Sequence, residues 1–142
     1  MASIFFVRNA PNIIVYNGGS HRGYYCCNGS YFQTNDCTFC HSGPLFTDGR
    51  FHYIGVRPPA EDVGRGAFDS DAAMRGAMLT PNLRGLGERA PFMHNGRFAT
   101  LEEVVEFYNR GGDFSAPNKD PRVRPRNWTQ AQKAALLAFM RR

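Results

Sequence analysis

Cys37-Thr38-Phe39-Cys40-His41 is the stretch on which the reading of this chain turns. Two thiols three positions apart on a helical turn, with an imidazole next to the second, form C-x-x-C-H, the attachment pattern of haem c. The thiols reach the two vinyl groups along one porphyrin edge, and the imidazole comes under the iron as proximal ligand. Zinc binding and thiol redox chemistry use similar residues. A zinc site would need Cys26, Cys27, Cys37 and Cys40, or three of these with a histidine, as a tetrahedral set. The directly adjacent Cys26-Cys27 is a poor half-site for that, and is read as spare thiols or a loop disulfide. A thioredoxin-like site would need a βαβ pattern around the motif, which the flanking sequence lacks.

Working outward, Tyr31 to His41 reads as a short helix with Asn35 or Asp36 as its cap. Ser42 to Arg75 is dominated by turn signals, Gly43-Pro44, Asp48-Gly49 and Pro58-Pro59, and reads as a long loop region. Loops of that length in compact domains usually wrap something, and a haem edge would serve. The clearest helix starts after Thr100, which forms a capping box with Glu103. Leu101, Val104, Val105 and Tyr108 then fall on one buried stripe, and Gly111-Gly112 ends it. A second helix follows Thr129 and its partner Gln132, with Leu136, Leu137 and Met140 on one face and a basic end at Arg141-Arg142. Pro117, Pro121 and Pro125 keep the stretch between the helices irregular.

The chain has 142 residues, 42% hydrophobic and 20% charged, enough for one globular domain around a large cofactor. Fifteen Gly and nine Pro imply much loop, in keeping with an all-α fold whose helices are joined by long connections. A net charge of +5 suits an acidic partner, but no long basic run concentrates it, so nucleic-acid binding is not expected. No stretch approaches the ~18 to 20 apolar residues of a membrane helix, so no membrane span is expected. Residues 1 to 28 read as an irregular segment, non-native or a remnant, ahead of a domain over 29 to 142. Met1 to Tyr16 makes a poor secretory signal. Haem attachment belongs to an oxidising, extracytoplasmic compartment, so a leader is expected upstream of a longer protein.

Candidates for the far side of an iron are Met93, Tyr108, His52 and His94. Methionine in a Pro-rich loop is the usual distal ligand of electron-transfer haems, whereas tyrosinate lowers the potential. Spacing alone leaves Met93 and Tyr108 open, since each also fits an ordinary core position.

Three stretches carry a family resemblance: Cys37 to Val56 (CTFCHSGPLFTDGRFHYIGV), Thr80 to Arg84 (TPNLR) and Ala90 to Gly112 (APFMHNGRFATLEEVVEFYNRGG). Over about residues 29 to 142 the chain is similar to the C-terminal haem domain of bacterial di-haem cytochrome c peroxidases and the related MauG proteins. The resemblance implies a cytochrome c-like haem domain in the periplasm, holding one haem c through Cys37, Cys40 and His41. In that family the sixth ligand, Met in the peroxidases and Tyr in MauG, lies in the middle of the helix after the Pro-aromatic-x-His loop. That position matches Tyr108, preferred here to Met93. The same loop helps hold a calcium ion through carbonyls that match Arg89 and Pro91, near His94, although Arg89 stands where Thr is usual. Arg84 is a candidate partner for a haem propionate, with an ordinary surface arginine as the alternative.

The family also has a second haem domain, where hydrogen peroxide is cleaved, and this chain has a single C-x-x-C-H. The implied task is therefore electron transfer from a donor cytochrome or small copper protein to a partner haem domain, in a peroxidase or a MauG-like oxidoreductase. Tyr108 leans toward MauG, and a homodimer is a further expectation. The rivals are a stand-alone monohaem electron carrier and a zinc-binding interaction module.

Overall fold

The computed structural model describes Phe32 and residues 36 to 141. Residues 1 to 28, with Cys26 and Cys27, and the proposed cap Asn35 lie outside the described residues. In chain order the described elements are a single helical turn α1 (Cys37–Cys40), a strand β1 (Phe51–His52), 3-10 turns at Gly64–Ala67 and Ala72–Met74, a strand β2 (Met78–Leu79), a 3-10 turn at Leu86–Glu88, and helices α2 (Leu101–Asn109) and α3 (Gln130–Met140). β1 and β2 pair antiparallel, Phe51 opposite Leu79 and His52 opposite Met78. The region from Ser42 to Arg75 is thus loop-rich but not structureless, since β1 and two 3-10 turns fall inside it.

Both expected helices form where their caps place them. Thr100 accepts from the Glu103 backbone N–H at 3.3 Å, while the Glu103 carboxylate accepts from the N–H of Thr100 at 3.0 Å and of Ala99 at 2.8 Å. Thr129 and Gln132 repeat the reciprocal arrangement at the start of α3. At the far end of α2, Gly112 N–H bonds to Phe107 carbonyl and Gly111 N–H to Tyr108 carbonyl, at 2.9 and 3.1 Å. This is the Schellman arrangement, and Gly111 at φ 84° supplies the left-handed residue it requires. A β-carbon on Gly111 would also sit 2.5 Å from the backbone nitrogen of Pro125, so the turn and the chain crossing it both demand glycine.

The stripe on α2 is wider than its periodicity suggests. Leu101, Val104 and Val105 are buried as expected, but Phe107 is the most completely enclosed side chain, at 0% exposure. The reason is that α2 lies between two apolar clusters. Leu101, Val104 and Phe107 join Val56, Phe92 and Phe98 on one side. Val105 joins Trp128 and Leu136 of the α3 region on the other. Tyr108 packs against both clusters. Ion pairs between Lys133 and Glu106 and between Arg141 and Glu102 tie α3 to α2 along their exposed edge.

The Pro-rich stretch from 113 to 128 runs as a strap without helix, broken by turns at 117–118 and 121–122. It is fastened to Gly55 carbonyl through the Asp113 and Phe114 N–H groups and to Tyr53 carbonyl through Asp120. At its end Arg126 N–H bonds to the Asn109 carbonyl at 2.9 Å, and Trp128 N–H to the Asn109 side chain at 2.8 Å. Asp120 is buried and forked by Arg122, Nε to Oδ1 at 2.9 Å and Nη2 to Oδ2 at 2.7 Å. Its Oδ2 also meets His52 Nδ1 at 3.0 Å. The Arg122 guanidinium outweighs the cost of burial and holds the carboxyl down to about 2.

Truncation of Phe107 to Ala should cost ~3 to 5 kcal/mol in denaturant unfolding, against ~1 kcal/mol for Thr100→Ala. Because folding depresses the Asp120 pKa below its ordinary ~3.9, its ionised form favours the folded state above that value. That contribution, on the order of 1 to 2 kcal/mol after allowance for partial solvent screening, fades as pH falls from about 4 toward 2. Asp120→Asn should flatten this acid limb in unfolding curves measured across that window. A variant limb as steep as the parent's would contradict the assignment.

Candidate functional site

α1 is one turn long, far below the length at which a helix holds itself together, so its neighbours must fix it. Asp36 occupies the N-cap position in a left-handed conformation, φ 62°, and its side chain makes no cap bond. Its carboxylate instead turns to the strap, meeting Arg126 Nη2 at 3.1 Å and Arg124 Nη2 at 3.4 Å. The Arg126 side chain is only 10% exposed, and it also bonds to the Arg122 carbonyl at 2.5 Å. These guanidinium groups, Arg126 first, hold the Asp36 carboxyl below the usual carboxylate range. The Phe39 side chain between the cysteines points outward, 61% exposed, with the Arg122 guanidinium 4.9 Å from its ring centre.

Cys37 and Cys40 are not in a disulfide, and burial pushes both thiols up to about 11. His41 continues the turn, its N–H bonded to Cys37 carbonyl at 2.8 Å. Its Nδ1 lies 2.8 Å from Phe46 carbonyl. A carbonyl only accepts, so Nδ1 carries the proton in this contact, and the Pro81 carbonyl is a second backbone partner of the ring. Burial lowers the His41 pKa, which favours the neutral, ligating form. Phe46 is in turn held by an edge-on aromatic trio with Phe32 and with Phe139 of α3, ring centres 5.0 to 6.4 Å apart.

Arg84 braces the same turn from outside. Its Nε donates to Pro44 carbonyl at 2.6 Å and its guanidinium lies 5.8 Å from the Phe46 ring centre. Tyr108, from α2, is partly buried. Burial raises its pKa well above that of an ordinary tyrosine, with a further push from the nearby Cys37 and Cys40 sulfurs. Met93 sits in the loop that follows the cis Ala90-Pro91 bond, at φ 68°, and packs on the Val56–Phe92–Phe98 cluster alone. Tyr108 packs in addition on the Val105–Trp128–Leu136 cluster, against which Phe32 also packs.

The other sequence candidates are placed as follows. His52 has a carboxylate at each ring nitrogen, Asp120 on Nδ1 at 3.0 Å and Asp48 on Nε2 at 2.9 Å, so neither nitrogen is directed at an iron. His94 Nε2 pairs with Asp62 at 2.6 Å. Arg89 donates from Nη2 to Asn82 carbonyl at 2.5 Å, and Arg89 and Pro91 are exposed.

Sequence reasoning missed the strap's arginines. The signal was present in Arg122-Val-Arg-Pro-Arg126, three basic residues at alternate positions, two of which, Arg124 and Arg126, meet Asp36.

The donor set fits a covalent haem c. Two thiols one turn apart and a neutral imidazole anchored through Nδ1 are the groups such a cofactor uses, and a carbonyl anchor is the usual orienting partner of a ligating histidine.

No protein-family model matches the chain. Over 106 residues it is 39% identical to the methylamine utilization protein MauG of Methylorubrum extorquens, an alignment covering 73% of this chain and 30% of that protein. It is 33% identical over 132 residues to the cytochrome-c peroxidase IdrP2 of Denitromonas iodatirespirans, covering 73% and 35%. A cytochrome c551 peroxidase of Nitrosomonas europaea is 32% identical over 83 residues, covering 56% and 25%. Among solved structures, a MauG-like protein associated with microbial copper homeostasis superposes with a TM-score of 0.71 at 27% identity, covering 79% of this chain and 44% of that one. The chain spans about a third of the length of the curated relatives it matches. Along that third, the chain belongs to the di-haem cytochrome c peroxidase and MauG family of oxidoreductases.

Proposed function

We propose that residues 29 to 142 form an all-α, cytochrome c-like domain that holds one haem c and passes electrons within a periplasmic di-haem peroxidase or MauG-like oxidoreductase. The observation that carries this reading is the His41 imidazole. It ends the turn that presents both thiols, with Nδ1 committed to Phe46 carbonyl, so that Nε2 would be the ligating nitrogen. Cys37 and Cys40 would hold the porphyrin through thioethers, His41 would be the proximal ligand and Tyr108 the distal one. When bound, the haem supplies a one-electron iron couple.

The chain's own residues prepare that site. Phe46 carbonyl fixes the tautomer and plane of His41, and the Asp36–Arg126 pair anchors the residue just before Cys37. Tyr108 offers an oxygen that burial keeps protonated, so service as a ligand requires that its proton leave when the oxygen meets the metal. That Tyr108 packs on both clusters and feels the Cys37 and Cys40 sulfurs, while Met93 packs on one cluster alone, supports the choice between them.

In the whole protein, electrons would come singly from a donor cytochrome or small copper protein and go to a second haem domain. There two electrons and two protons convert hydrogen peroxide to two waters. A calcium held by the Arg89 and Pro91 carbonyls, a propionate on Arg84 and a homodimer belong to the same reading. No helix among the described residues is long and apolar enough to cross a membrane.

The test is to mature the full chain in a host competent for cytochrome assembly. A Soret band that survives acid-acetone extraction is expected, with the covalent colour lost from the Cys37→Ser, Cys40→Ser double variant. A colourless product would sink the proposal. Tyr108→Phe should move the ferric spectrum from six-coordinate low spin toward high spin. An unchanged spectrum there, with a changed one in Met93→Leu, would transfer the distal role to Met93.

A further inference from the structure

The geometry points to Phe46 as a positioning residue whose ring transmits the packing of α3 to the carbonyl that holds His41. It thereby sets the potential of the iron that His41 ligates, a role that rests on the haem reading above.

Phe46 stands where its residue type is costly. Two nested bonds close the loop after His41, Thr47 N–H to Ser42 carbonyl at 2.9 Å and Phe46 N–H to Gly43 carbonyl at 3.2 Å. Both ends of the inner turn are left-handed, Gly43 at φ 70° and Phe46 at φ 54°. Glycine takes that conformation freely, whereas in phenylalanine it crowds the β-carbon against the backbone. A bulky residue stays in such a state only when its surroundings hold it there, and strain of this kind gathers at functional positions.

The carbonyl of this strained residue is the one 2.8 Å from His41 Nδ1. The restraint on it comes through the ring. Phe139 of α3 meets the Phe46 ring edge-on with centres 5.6 Å apart, Phe32 does so at 6.4 Å, and the Arg84 guanidinium lies 5.8 Å from the ring centre. Arg84 Nε also holds the Pro44 carbonyl, inside the turn, at 2.6 Å. Glycine at position 46 would close the turn with less strain, but it would leave the carbonyl unconnected to α3. The same helix bears on the opposite side of the site, where Leu136 joins Val105 and Trp128 in the cluster on which Tyr108 packs.

Donation from Nδ1–H to a carbonyl makes an imidazole a stronger electron donor, which favours ferric iron and lowers the potential. Loosening the carbonyl therefore raises the potential. Opening the site to water has the opposite sign, because it favours the more highly charged ferric state. The direction of a shift thus separates positioning of His41 from loss of packing alone.

The test is the midpoint potential of the full chain matured with haem, read by spectroelectrochemical titration. Phe46→Gly should raise it by about 59 mV, on the order of a tenfold change in the one-electron equilibrium. Phe139→Ala, one residue removed from the carbonyl, should shift it the same way and by less. The double variant should match Phe46→Gly alone, since Phe139 acts through Phe46, and Phe46→Tyr should keep the parent value. An unchanged or lowered potential in Phe46→Gly, an unchanged one in Phe139→Ala, or simple addition in the double variant would overturn the proposal. For variants that fail to mature, nitrogen-15 NMR of the histidine rings in the chain without haem supplies the second readout. His41 should favour the Nδ1-protonated tautomer in the parent, and Phe46→Gly and Phe139→Ala should both lose part of that preference, leaving the Pro81 carbonyl as the ring's other backbone partner. Equal tautomer populations in parent and variants would also overturn the proposal. A colourless matured parent sinks the haem reading instead, and the tautomer comparison then decides alone whether Phe46 places the imidazole.

Discussion

A single helical turn cannot persist by its own hydrogen bonds, and that is the constraint around which the rest of the molecule is arranged. The four residues of α1 form one such turn, yet two sulfurs and an imbedded imidazole neighbour have to keep fixed relative positions on it. The fold meets the requirement from outside the turn. Asp36 at its start is gripped by the strap, and His41 at its end is gripped by the Phe46 carbonyl. Phe46 is held in turn by a ring from α3, so the last helix of the chain positions the site without contributing a ligand.

The chain's net positive charge takes on a different meaning at this scale. Arg122, Arg124 and Arg126 are not a diffuse basic surface, since each engages a carboxylate beside the motif. Exposed ion pairs contribute little, but the Arg126 side chain is only 10% exposed, and removal of its partner leaves a charge that water reaches poorly. Arg122, in a turn, engages Asp120, while Arg124 and Arg126, two positions apart beyond it, both reach Asp36. The strap's prolines bar a helix there.

What the sequence showed clearly was what neighbouring residues decide. Capping boxes at Thr100 and Thr129 and the glycine end at Gly111 lie within six residues of their partners, and each formed as read. Asp36 was a cap by position only, because Arg126, 90 residues away, offers its carboxylate a better partner than the backbone N–H groups do. Phe107 was missed because helical periodicity assumes one buried face, whereas α2 is covered on two. The loops from 42 to 75 hid β1 for a related reason, since its partner at 78–79 is named by no local pattern.

The same distinction between local and distant information bears on Tyr108 and Met93. Both lie in family-like sequence and both are partly buried, so neither spacing nor exposure separates them. What separates them is which side of α2 each serves. Met93 belongs to the cluster built on Val56, Phe92 and Phe98, and Tyr108 bridges from it to the cluster of Trp128, Leu136 and Phe32. A side chain that reaches both clusters lies along the seam between them, and the sulfurs of Cys37 and Cys40 are close enough to that seam to act on its phenol. The tyrosine's place beside the motif is thus fixed by the packing of α2 and α3 against each other, a contact that no stretch of sequence displays.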